Sequence, residues 1–112
     1  MKKNLSAGYL LDFYGPLLTG RQREALDMYY NMDCSLAEIA EEFGVTRQGV
    51  HRFILQGEKR LTEMEEALGY AALYGAAAEV LSTIREKAQG DEALLKAADS
   101  LAKVMERETN GV

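Results

Sequence analysis

Arg47, Gln48, His51 and Arg52 fall within six residues of a stretch with helical spacing. The first turn of such a helix offers them outward, while Val50 and Ile54 supply its buried face. An arginine pairs with guanine's two acceptors and a glutamine with adenine's donor and acceptor; each good contact is worth about 1–3 kcal/mol of discrimination. Thr46 stands just before them as a helix cap, and with the free amides of that helix start it suits a phosphate oxygen. Arg21 and Arg23, in the first turn of an earlier helix, are candidates for sugar-phosphate backbone contacts. Thr46, Arg47, Gln48, His51, Arg52, Arg21 and Arg23 are therefore the candidate nucleic-acid-binding residues.

Other chemistry finds little support. One Cys and one His cannot make a structural zinc site or an internal disulfide. His51 has no catalytic partner that the sequence points to; it reads as a pH-sensitive phosphate contact or a solvated imidazole. Cys34 precedes a helix, where a thiolate would be favoured, but a passive small residue is the simpler reading. Glu41/Glu42 and Glu65/Glu66 are adjacent, so each pair splays across a helix surface instead of converging. There is no phosphate loop, dinucleotide fingerprint or nucleophile motif. No catalytic residue, metal or cofactor is expected, and the protein is expected not to be an enzyme.

The elements that position these residues all read as helices. A first helix covers roughly residues 4–14, with Leu5, Tyr9, Leu10, Phe13 and Tyr14 near helical spacing. Gly15-Pro16 stops it, because Pro disfavours the α conformation in the residue before it. Thr19 caps a second helix, with Gln22 three residues on, and Leu26, Tyr29 and Tyr30 face inward to about residue 31. Ser35 and Glu38 form a stronger capping box for a helix over 36–43, which presents Leu36, Ile39, Ala40 and Phe43. Gly44 supplies the left-handed conformation that ends it, and Thr46 caps the fourth helix.

Helix 36–43, a tight turn at Gly44-Val45 and a capped helix from Thr46 make a helix-turn-helix pattern. Ala40 is small where two helices cross, while Val45, Val50 and Ile54 pin the second helix on the first. Such a unit reads DNA, or it simply packs two helices or contacts a protein. Its three carboxylates, Glu38, Glu41 and Glu42, read as a solvated face.

The fourth helix meets no stop until Gly69. Val50, Ile54, Gly57, Leu61, Met64 and Leu68 form one seam over some 22 residues, roughly 33 Å at 1.5 Å per residue. Two more helices continue the rhythm, through Leu73, Ala77, Val80 and Ile84 and then Leu94, Ala98, Leu101 and Met105, with a break at Gly90-Asp91. The pattern divides into a helix-turn-helix domain over 1–60 and a helical extension over 61–112. A long helix leaving a small unit needs cover for its apolar stripe, so the extension reads as a homodimerisation arm. Leu61, Met64, Leu68, Tyr70 and Leu73 are its candidate dimer-interface residues; an intramolecular hairpin is the alternative. The six tyrosines mostly sit at core-like positions, apart from the basic groups that RNA stacking would need.

At 112 residues the chain suits one domain, or one domain with an arm. Its 47% hydrophobic and 28% charged content is enough for a core and too apolar for wholesale disorder. The net charge of -5 argues against nucleic acid, but its distribution matters more. Residues 1–60 carry eight basic and eight acidic groups, and residues 61–112 carry five and ten, so the second half holds the whole excess. Segment 46–60 has four basic residues, His51 and one acid. No apolar run approaches the roughly 20 residues of a membrane span, and no secretory signal is evident, so a cytoplasmic location is expected.

The stretch LLTGRQREALDMYYNMDCSLAEIAEEFGVTRQGVHRFILQGEKRL resembles region 4 of bacterial σ factors. There a T-x-x-Q-R/E helix start precedes S-L-x-E-I-A-x-x-x-G-V-S/T-x-x-x-V. With LLDFYGPLLT before it and EMEEALGY after it, the chain more specifically resembles the YlxM family, small proteins usually encoded beside signal recognition particle GTPase genes in Firmicutes. Asp12-Phe13-Tyr14, Leu17-Leu18-Thr19, Gln22-Arg23 and Arg47-Gln48 carry the likeness, which covers about residues 9–70. It implies an all-α, dimeric protein with a σ-like unit that binds double-stranded DNA. It also implies a regulatory part in the signal recognition particle pathway, or direct contact with that particle's protein or RNA. The family has Ala and Tyr where this chain has Gly49 and His51, so no target sequence carries over.

Overall fold

The computed structural model describes residues 5–106, without the side chain of Leu5, whose expected core role lies outside the described residues. Among the described residues six α-helices follow one another: α1 (Leu5–Tyr14), α2 (Gly20–Tyr30), α3 (Leu36–Phe43), α4 (Arg47–Leu68), α5 (Tyr70–Lys87) and α6 (Glu92–Glu106). A single 3-10 turn, Gly15–Leu17, stands where Pro16 interrupts the first helical run. No strand occurs among the described residues, and the fold is all-α, as the sequence implies.

Local chemistry sets the helix ends. Thr19 Oγ1 accepts the Gln22 amide at 3.2 Å, and Gln22 Oε1 accepts the Thr19 amide at 3.4 Å. Ser35 Oγ accepts the Glu38 amide at 3.1 Å, and Glu38 Oε1 accepts the Ser35 amide at 2.8 Å. Both are full capping boxes, each satisfying two amides that a helix start would otherwise leave free. At the end of α3, Gly44 takes φ +69°. Its amide reaches Glu41 O at 3.3 Å and the Val45 amide reaches Ala40 O at 3.1 Å, so the chain reverses in a Schellman motif.

The chain forms two compact units, one ending at Gly69 and the other beginning at Tyr70. In the first, α4 packs on α1, α2 and α3 together. Its inner face carries Val50, Ile54, Gly57 and Leu61, all buried, and Leu26 of α2 and Ile39 of α3 are buried as well. Burying each large aliphatic here contributes about 1.5–3 kcal/mol. Val45, which the sequence placed in this core, is 40% exposed on the outside of the turn. Val50 and Ile54 are buried as expected.

Ala40 is buried, and α2 and α4 come close at Gly57. A Cβ on Gly57 would stand 2.6 Å from Leu26 Cδ1 and 3.3 Å from its Cγ, so only a glycine lets α2 and α4 approach this far. Two tyrosines fasten α4 beyond that point. The Tyr30 hydroxyl donates to the Glu58 carboxylate, and the Tyr14 hydroxyl donates to Glu65 Oε1 at 2.6 Å.

These contacts move the expected domain boundary. The first unit extends past residues 60–61 to Gly69, because α1 covers α4 as far as Glu65. Leu61, expected at a subunit interface, is fully buried in the single chain and is unavailable to a second copy. Met64 is half-buried, while Leu68 is 65% exposed on the last turn of the helix.

The second unit is a hairpin of α5 against α6, turned at Gly90 (φ +87°). Asp91 Oδ1 caps α6 by accepting the Leu94 amide at 3.1 Å. Arg85 Nη2 meets Asp99 Oδ1 at 2.9 Å, an exposed pair that contributes little to stability.

Two predictions follow from this packing. Gly57→Val should lower unfolding free energy by about 1–3 kcal/mol in urea denaturation, since overpacking against Leu26 outweighs valine's better helix propensity; unchanged stability would mean that the crossing has room for a side chain. The second concerns Glu38, whose carboxyl is held below the ordinary carboxylate range, chiefly by its hydrogen bond from the Ser35 backbone. Its folded value lies below its unfolded one, so its stabilisation is complete above the unfolded value and is lost as pH falls through the folded one. Glu38→Gln should remove that acid dependence while keeping α3. A Glu38 carboxyl titration by NMR with a midpoint at the ordinary glutamate value would contradict the cap.

Candidate nucleic-acid interface

The interface is built from the start of α4. Thr46 Oγ1 accepts the Gly49 amide at 3.0 Å, fixing the first turn and leaving the hydroxyl proton to point elsewhere. From that turn Arg47, Gln48 and Arg52 are exposed and His51 is half-buried. Leu36 at the start of α3 joins Thr46, Arg47, Gln48 and His51 around an open depression of about 450 Å³. The structure thus brings four of the seven expected residues to one place, beside the first turns of both helices of the motif.

Arg52 lies one turn beyond Gln48 on the same side of α4. At about 100° per residue, Gln48, Arg52, Leu55 and Lys59 form one narrow stripe, and all four are exposed. Leu55 (49% exposed) and Lys59 were not among the expected residues, although their spacing of i+7 and i+11 from Gln48 was readable. The only carboxylate between Arg47 and Thr62 is Glu58, and the Tyr30 hydroxyl holds it away from the stripe. Past that point Glu63 and Glu66 reverse the sign of the same side of the helix.

The two arginines of α2 diverge. Residues two apart on a helix differ by about 200° and cannot face one target. Arg21 lies over the ring of Phe43, with Cζ 4.4 Å from its centroid, at the end of α3. Arg23 instead stands near Gly15, its Nε 3.7 Å from where a Cβ on that glycine would be. Both are exposed. Arg21 therefore borders the helix-turn-helix, and Arg23 borders the turn between α1 and α2. Of the three carboxylates of α3, Glu38 is occupied by its cap, and Glu41 and Glu42 are solvent-exposed.

No group of three or more metal-ligating side chains occurs among the described residues. Among them, too, no single helix is long and apolar enough to cross a membrane.

Comparison with known proteins agrees with this geometry. A family described as "Putative helix-turn-helix protein, YlxM / p13 like" matches residues 1–101. The UPF0122 protein BH2485 of Halalkalibacterium halodurans is 42% identical over 107 residues, covering 90% of this chain and 98% of that protein. A UPF0122 protein of Desulforamulus reducens is 37% identical over 113 residues, covering 96% and 97%. The UPF0122 protein STH1464 of Symbiobacterium thermophilum is 45% identical over 86 residues, covering 77% and 80%. With a two-helix motif of this geometry and matches along nearly its whole length, the chain belongs to the UPF0122 family of YlxM/p13-like helix-turn-helix proteins.

Proposed function

We propose that this protein is a DNA-binding regulator without enzymatic activity, and that the first three turns of α4 enter the major groove. Arg47, Gln48, His51 and Arg52 meet base edges or phosphates there, and Thr46 with the amides of the first turn meets a phosphate. Arg21 touches the backbone beside the motif, whereas Arg23, turned toward Gly15, is left out of that contact. The observation that carries this reading is the stripe of Gln48, Arg52, Leu55 and Lys59, exposed along α4 with Glu58 tied back by Tyr30 and no acid of its own before Glu63. The role of such binding in the signal recognition particle pathway belongs to the same proposal.

The active form is a homodimer. Leu68 is 65% and Leu73 67% exposed, and the second unit leaves further apolar residues uncovered. Leu73, Val80 and Ile84 lie about a quarter-turn to one side of the buried face of α5, and Leu94, Leu101 and Val104 lie a similar angle from that of α6. Because the two helices run antiparallel, offsets of the same rotational sense fall on the same face of the hairpin. Two copies meeting there would make a four-helix bundle. A two-fold dimer also presents two reading helices, ideally one duplex turn (~34 Å) apart. Tyr70 is half-buried beside Tyr74, with ring centroids 6.5 Å apart, and supports the start of that hairpin.

A second reading takes the acidic half as the working surface. Residues 61–112 hold twice as many acids as bases, which suits a basic face on the signal recognition particle GTPase. Its RNA is the other contact that this reading allows.

Arg47→Ala with Arg52→Ala should weaken duplex binding by at least about 30-fold, with unchanged helicity by circular dichroism. Equal affinity of the double variant in a gel shift removes the reading surface. Capture of the particle's GTPase or RNA from native lysate, with no duplex retained, favours the second reading. For the dimer, light scattering on the full chain should give twice 12.4 kDa, and Leu73→Glu with Val80→Glu should give the monomer mass with α-helix content preserved. A wild-type monomer at micromolar concentration would refute that assembly.

A further inference from the structure

Phe43 is the last residue of α3, and its ring lies under the guanidinium of Arg21, 4.4 Å from Cζ to centroid. Phe53, on the second turn of α4, meets Phe43 edge to face, with centroids 6.3 Å apart and planes at 64°. Both rings are half-buried and Arg21 is exposed. One chain of contacts thus runs from α4 through the end of α3 to the first turn of α2. We infer that Phe43, braced by Phe53, is a positioning residue that holds Arg21 ready for a DNA phosphate beside the groove that α4 enters. This rests on the DNA-binding reading above and adds to it the device that aims one backbone contact.

The geometry gives the device a definite side. Around α4, His51 lies to one side of the stripe formed by Gln48, Arg52 and Lys59, and Phe53 lies to the other. Leu36 and the start of α3 border the His51 side, where the open depression is. Arg21 and Phe43 therefore border the opposite side, and a helix lying in the major groove has a phosphate strand along each edge. A free arginine on a surface helix samples many rotamers, and ordering it at a phosphate costs entropy at the moment of binding. Stacking on Phe43 limits those rotamers beforehand. A guanidinium over a ring face keeps its N–H edge available to a phosphate oxygen. The acids of α2 and α3 near this route, Glu24, Glu41 and Glu42, are solvent-exposed.

The test uses the full chain and a pool of random-sequence duplexes titrated at several salt concentrations. Arg21→Ala should weaken binding roughly tenfold, the scale of one charged hydrogen bond, and should lower the slope of log K against log salt by about one. Phe43→Leu should weaken it roughly two- to fivefold, the scale of an exposed cation–π contact, and should add little on top of Arg21→Ala. Phe43→Tyr, which keeps the ring, should restore wild-type binding. In the free protein the Arg21 side-chain protons should be shifted upfield by the ring, an effect lost in Phe43→Leu and kept in Phe43→Tyr. Phe43→Leu with wild-type affinity, or with a loss that adds in full to that of Arg21→Ala, overturns the inference and leaves the DNA reading standing. Absence of the upfield shift in the wild type also overturns it, whether or not the leucine variant folds. A wild type that retains no duplex overturns the reading and the inference together.

Discussion

The first unit depends on one helix serving two faces at once. Side chains of α4 repeat every 3.6 residues, so burying Val50, Ile54, Gly57 and Leu61 fixes where Gln48, Arg52, Leu55 and Lys59 must point. The aim of the outer stripe is therefore set by the packing of the inner one. Gly57 is a close point of that packing, since α2 presses Leu26 into the space where any other residue would carry a Cβ. Tyr30 and Tyr14 then fasten the helix at Glu58 and Glu65, so it is held along its length and not only at the motif. Close-packed interiors transmit small changes, and a rotation of α4 would carry the whole outer stripe with it.

The electrostatics follow from the same contacts. A net charge of -5 is an unpromising start for a protein proposed to meet phosphates. At physiological salt, however, charges beyond about 8 Å are largely screened, so the local field at the motif matters more than the total. Around the stripe the acids have other work. Glu58 accepts from Tyr30 and Glu38 closes the cap of α3. The negative residues Glu63 and Glu66 come only after the proposed contact has ended, and they bound it. Arg21, stacked on Phe43, adds a positive edge that the acidic average conceals.

The second unit obeys a different constraint. A hairpin of two helices covers one stripe on each, and α5 and α6 bear more apolar surface than that. Ala71, Leu81, Ala88 and Ala98 are buried, whereas Leu73, Val80, Leu101 and Val104 are not. The small buried residues allow the helices to lie close, and the large ones remain on the flank. That distribution is the physical basis for placing a second copy there, and it moves the proposed contact from the end of α4 to the hairpin.

Sequence alone determined whatever is local. The caps at Thr19, Ser35 and Thr46, the reversal at Gly44, the stop at Pro16 and the helical periods are written within a few residues of one another, and they gave six helices and the helix-turn-helix in the right places. The same locality made Thr46, Arg47, Gln48 and His51 readable as one cluster. Tertiary structure decided what depends on which helix lies beside which. Period shows that Leu61 is apolar and inward on its helix, but only the packing of α4 on the other helices of its unit buries it within the same chain. Likewise Gly57 became a crossing point, Glu58 and Glu65 became partners of distant tyrosines, and Arg21 parted from Arg23 toward Phe43. Contacts between residues far apart in the chain leave no spacing to read, because they are chosen by the packing of whole helices.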